Sequence, residues 1–213
     1  MLPYLLGILL LFVNAEAYAH PVIYKGGTMI ASQNMEMFSD NQINYSFHQK
    51  WATGLNLWRF TKENAETTQF GLVRLNHLLK RWNNDNSQGN IYISTGAGVA
   101  ESNFNMKGTK AGYLGGVEGD WETRTLFTSL KFYQFSAPKL DDVSITQARI
   151  GFSPYEANFD KLQSWVMLQT MYMPQVQRSV VVTPLLRFFY NNILWEVGSS
   201  LRGEWFLNFM VHI

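Results

Sequence analysis

From Ile91 to Val99 the residues alternate in character at every step. Ile91, Ile93, Thr95, Ala97 and Val99 fall on one parity, and Tyr92, Ser94, Gly96 and Gly98 on the other. The last nine residues repeat the pattern, with Trp205, Leu207, Phe209, Val211 and Ile213 set against Phe206, Asn208, Met210 and His212. A third case sets Leu126, Thr128, Leu130 and Phe132 against Phe127, Ser129 and Lys131. A period of two is the signature of an extended strand, whose successive side chains point to opposite faces. No stretch after Ala19 approaches the ~20 apolar residues a spanning helix needs. The chain is therefore all-β.

Twelve such runs are predicted, at 28–37, 42–48, 51–60, 68–82, 90–101, 110–121, 124–135, 143–154, 161–173, 179–190, 193–199 and 204–213. Clusters of Gly, Asn, Asp and Ser punctuate them, as turns require. One set of connections lies at 48–50, 83–89, 120–122, 155–160 and 191–192. The other lies at 38–41, 62–67, 102–109, 137–142, 174–178 and 200–203. Roughly 194 residues after position 19 give ~16 per strand and turn, against the ~9–11 a tilted spanning strand needs. Two runs, 42–48 and 193–199, are short enough to merge with neighbours, which makes ten strands the alternative count. Pro184 sits inside a predicted strand, where it implies a bulge or a different register.

Composition separates two all-β architectures. A secreted sandwich carries Lys, Asp and Glu on its outer faces, but charged residues are only 15% here, against ~25% in ordinary soluble domains. The less apolar face is instead rich in Asn, Gln, Ser, Thr, Gly and Tyr. Such a face suits the wall of a lumen, and its Leu, Val, Ile and aromatic counterpart suits lipid. An open sheet edge in lipid would leave backbone groups unpaired at several kcal/mol each, so the sheet must close. The expectation is a single antiparallel up-and-down transmembrane β-barrel. Trp51, Trp58, Trp82, Trp121, Tyr155, Tyr172, Tyr190 and Trp205 lie near run ends and are expected to form interfacial girdles.

The first residues read as an address. Leu5 to Val13 is an apolar run of signal-peptide length, and Ala17-Tyr18-Ala19 is a small-x-small cleavage site. The n-region lacks Lys and Arg, a departure from the usual pattern. Residues 1–19 are thus expected to be a cleavable signal peptide and 20–213 the barrel domain, with His20 as the mature N-terminus. A cleavable signal, alternating strands throughout and a final apolar strand together resemble the outer-membrane β-barrel proteins of Gram-negative bacteria. Trp205 to Ile213 resembles the C-terminal signature read by the barrel-assembly machinery, although Ile213 stands where that family usually has Phe. Leu75–Gln88 and Val182–Phe189 resemble segments of uncharacterised outer-membrane proteins of this size. The resemblance implies location in the outer membrane, lipid and the assembly machinery as partners, and no particular activity.

Chemistry is sparse. No cysteine is present, which excludes disulfides and thiolate metal sites. A net charge of +1 and the lack of a basic aromatic cluster give no case for nucleic acid. Of four histidines only His77 is placed for lipid hydrolysis, and no Gly-x-Ser-x-Gly motif frames a serine such as Ser94 or Ser129. Met35 with Met37 and Met171 with Met173 have a spacing that suits soft metals, yet Met more often fills apolar gaps. No catalytic residue, metal site or cofactor is expected. Assigning the apolar face outward places Arg74, Glu118, Lys131, Arg149, Arg187 and Glu196 in the lumen, since Arg or Lys facing lipid at mid-depth costs ~2–4 kcal/mol. Two outcomes share these residues: an interior salt-bridge network closing a narrow barrel, or a small passive pore with weak anion preference. A barrel enzyme acting on lipid and a secreted β-sandwich binding protein are the alternatives from other classes.

Overall fold

The computed structural model describes residues 20–103, 108–158 and 160–213. The expected signal peptide, 1–19, lies outside the described residues. Twelve strands follow in order: β1 (Thr28–Met35), β2 (Phe38–His48), β3 (Trp51–Thr61), β4 (Thr67–Asn84), β5 (Ser87–Ser102), β6 (Lys110–Glu122), β7 (Leu126–Ala137), β8 (Asp141–Phe152), β9 (Gln163–Met173), β10 (Gln177–Tyr190), β11 (Ile193–Ser199) and β12 (Trp205–His212). Each pairs antiparallel with its neighbours in sequence, and β1 pairs with β12 from Met29–His212 to Met35–Phe206. The ring is closed and has no edge. The count is twelve, and the ten-strand alternative falls.

Both runs of connections alternate between two ends. The near end carries the start of β1, the end of β12 and the β2–β3, β4–β5, β6–β7, β8–β9 and β10–β11 connections. The far end carries the other six. Leu207 and Phe209 are about half exposed, so among the described residues no second layer covers the outer wall, and the closed single sheet replaces the sandwich alternative. Leu55, Leu57, Val73, Leu130, Ile150, Leu168, Leu186 and Val197 are likewise exposed. They form a continuous apolar belt of the kind that faces lipid.

Several expectations need correction. The predicted connections at 38–41 and 120–122 are strand, because β2 begins at Phe38 after a turn of only Glu36-Met37 and β6 runs on to Glu122, and the 83–89 connection shrinks to the two residues between Asn84 and Ser87. Ser39, Asp40 and Asn41 spell a turn by composition. In the barrel, however, Asp40 is taken up by Gln42 and Asn56 inside, and Asn41 by Ser32 outside. Trp58 is not a girdle residue, since it points inward and is 2% exposed. Trp82, Trp121, Tyr155, Tyr172, Tyr190 and Trp205 do face outward and are exposed. Finally, Pro184 carries no bulge. It pairs with Leu168 on β9, and the β10–β11 ladder starts only at Leu185–Gly198, while the irregularity in β10 lies between Gln177 and Val181.

Candidate functional site: the barrel interior

The inward face divides into three layers along the barrel axis. The far-end layer is apolar. Met35, Phe38, Trp58, Phe60, Phe70, Leu72, Phe135, Val143, Ile145, Met171, Met173 and Phe206 form one buried cluster with others. Trp58 stacks near Phe60 and lies 4.8 Å from Phe135, which also meets Phe60 and Phe70. Glycine makes room for these rings: a Cβ on Gly116 would fall 1.9 Å from Tyr133 Cδ1, and one on Gly112 would crowd Phe70. Both Met pairs belong to this layer, with Met37 packed against it, so they serve as apolar filling. Above it, Lys62 in the β3–β4 connection reaches Asp141 at the start of β8 at 2.9 Å, and Thr68 donates to the same carboxylate. Burial would lower the Lys62 pKa, but the bond and charge of Asp141 outweigh it and the net direction is up.

The middle layer is polar and holds all six charged residues named above. Arg74 donates to Ser94 Oγ at 2.9 Å and to the Tyr133 hydroxyl. Tyr133 donates in turn to Glu118 at 3.1 Å, and Lys131 lies 3.5 Å from the same carboxylate. On the opposite wall Glu196 accepts from Arg187 Nε at 2.7 Å, from Arg149 Nη1 at 3.2 Å and from Asn208 at 2.7 Å. Arg149 also donates to Gln169 and Gln33. Glu196 is fully buried, and a buried carboxylate is tolerable only when paired and hydrogen-bonded this completely. The Arg187 guanidinium lies 4.5 Å from the centre of the Phe127 ring, a cation–π contact. Between the two halves remains a cavity of about 60 Å³, lined by Asp40, Lys131, Arg149 and Arg187 among others.

The near-end layer is a plug made by the residues before β1. His20 and Val22 are buried, and Val22 packs on Ala52, Leu78 and Tyr92. His20 Nδ1 lies 3.3 Å from Asp120 and Nε2 lies 3.5 Å from Glu122. Burial would lower the His20 pKa, but Asp120 and then Glu122 outweigh it and raise the value to about 9. The ligand atoms of these three residues lie within 4.8 Å of one another, so the cluster has the dimensions of a metal site. A metal needs a neutral imidazole nitrogen. Here the two ring nitrogens face separate carboxylates and the ring is cationic at neutral pH, so the arrangement fits a buried ion pair better.

His77 lies on the outer wall, stacked on Trp51 at 4.0 Å with Nδ1 against the Lys50 carbonyl. Ser94 and Ser129 are inside, on the other side of the sheet. Sequence reading missed Asp40, Asp120 and His20. Asp40 and Asp120 sit in stretches with turn composition, and His20 precedes the first periodic run. Parity alone would have placed both acids inside.

No protein-family model matches this chain, and no curated protein matches it. Among solved structures, the KdgM porin in complex with disordered oligogalacturonate is similar over 87% of this chain and 97% of that one, at 12% identity and a TM-score of 0.48. The translocator domain of the autotransporter NalP from Neisseria meningitidis is similar over 87% of this chain and 85% of that one, at 12% identity and a TM-score of 0.38.

Proposed function

We propose that this chain is a non-enzymatic β-barrel of the Gram-negative outer membrane whose resting interior is closed. The observation that carries the reading is the filled lumen: an apolar cluster, a hydrogen-bonded charged layer and a docked N-terminal plug. The cavity between the two charged clusters, about 60 Å³, has room for only a few waters. A selective pore needs a ring of charges that an ion can reach, whereas here Glu118 and Glu196 already neutralise Lys131, Arg149 and Arg187 in part. The six lumen charges then act as an internal brace. The exposed apolar belt supports residence in lipid. Residues 1–19 act as a cleavable signal, 20–213 form the barrel domain, the near end faces the periplasm, and the assembly machinery engages Trp205–Ile213.

The test is conductance. Protein refolded into liposomes, with folding checked by heat-modifiable migration, should pass small sugars and salt no faster than protein-free vesicles. Steady conductance from the wild-type protein would overturn the closed reading. A narrow-channel reading rests on the non-covalent hold at both mouths, Lys62 on Asp141 and His20 on Asp120. It predicts that Lys62→Ala with His20→Ala conducts where the wild type does not.

A further inference from the structure

The outer wall near the near-end girdle has a shallow, open groove of about 370 Å³. Two paired rows of outward residues define it. One runs Lys80, Ile91, Gly119, Leu130, and the other Trp82, Gly89, Trp121, Thr128. Trp82 and Trp121 wall the groove, and Ile91 and Leu130 give it apolar sides. Its floor is Gly119, where a Cβ would meet only the Asn90 carbonyl at 3.6 Å.

A β-bulge puts a charge on the groove's edge. The β4–β5 register shifts between Leu78, paired with inward Tyr92, and Lys80, paired with Ile91. Without the extra residue Lys80 would share the inward parity of Leu78. The bulge instead aims Lys80 at the membrane and Arg81 into the lumen, where Arg81 bonds Asn90 and Tyr92. The Lys80 ammonium lies 5.8 Å from the centre of the Trp82 ring.

An apolar slot open to lipid with the Lys80 ammonium at its interfacial edge matches one occupant in charge and polarity. We propose that the groove seats an acyl chain of an anionic phospholipid of the near-end leaflet, with the headgroup on Lys80. The site rests on the membrane reading above. The experiment is native mass spectrometry of protein extracted from vesicles of phosphatidylethanolamine and phosphatidylglycerol in a roughly 3:1 ratio, since a basic residue at the membrane surface favours an anionic headgroup. Wild type should retain phosphatidylglycerol several-fold over its share. Lys80→Gln should lose that preference, and Gly119→Phe should cut retention of either lipid several-fold. Gly115→Phe is the control, because Gly115 is also on β6, outside the groove, with nothing within 4 Å of a Cβ; it should behave as wild type. No preference in the wild type, unchanged retention in Lys80→Gln and Gly119→Phe, or equal loss in Gly115→Phe would each overturn the site. Failure of wild type to insert into vesicles would instead sink the membrane reading.

Discussion

Replacing Glu196 by Gln tests whether the charged layer braces the barrel. The carboxylate accepts from Arg187 at 2.7 Å, from Arg149 at 3.2 Å and from Asn208 at 2.7 Å. An amide keeps one acceptor oxygen and turns an N–H₂ toward the remaining donors. At least one charge-assisted bond is lost, at ~1.5–3 kcal/mol. Two buried guanidiniums, only 7% and 10% exposed in their side chains, are also left without their shared counter-charge. Removing one partner from a buried ion pair costs ~3–5 kcal/mol, and that is the expected loss. Equilibrium urea unfolding in detergent micelles, followed by tryptophan fluorescence, reads it. The triple variant Glu196→Leu, Arg149→Met, Arg187→Met removes all three charges and should recover most of the loss, since apolar replacement of a whole buried network is often neutral or stabilising. A Glu196→Gln variant within about 0.5 kcal/mol of wild type, the range of an ordinary surface change, would refute the brace.

The near-end plug should respond to pH. Because the folded pKa of His20 is raised from 6.5 to about 9, its contribution is fully present below pH 6.5 and is lost as pH rises through about 9, with a ceiling near 3 kcal/mol. The stability difference between wild type and His20→Gln, measured across pH 6 to 10, should shrink to nothing over that window; a flat difference would contradict the ion pair. Gly116→Ala drives a methyl into the Tyr133 ring and should cost ~1–3 kcal/mol, seen as a lower urea midpoint with an unchanged slope. His77→Ala should leave lipid A acylation in expressing cells unchanged, and a change in acylation abolished by this substitution would revive an enzyme.

Much of the fold is legible in the sequence because the pleat is local. Alternation in β5, β7 and β12 assigns each side chain to the lumen or to lipid without knowledge of any partner strand. For that reason the lumen charges could be named from parity alone. It failed only where a local exception intervened, such as the turn-like letters at Asp40 or the bulge that reverses parity between Leu78 and Lys80. Which inward residues meet was decided by closure. Arg74 finds Tyr133 across 59 positions and Arg149 finds Glu196 across 47, on strands that are not neighbours in the sheet. Those encounters depend on the stagger accumulated around the whole ring, which no stretch of the sequence contains. The same closure gathers Trp58, Phe60, Phe70 and Phe135 into one cluster and makes a filled interior of what the sequence offered only as an inward face.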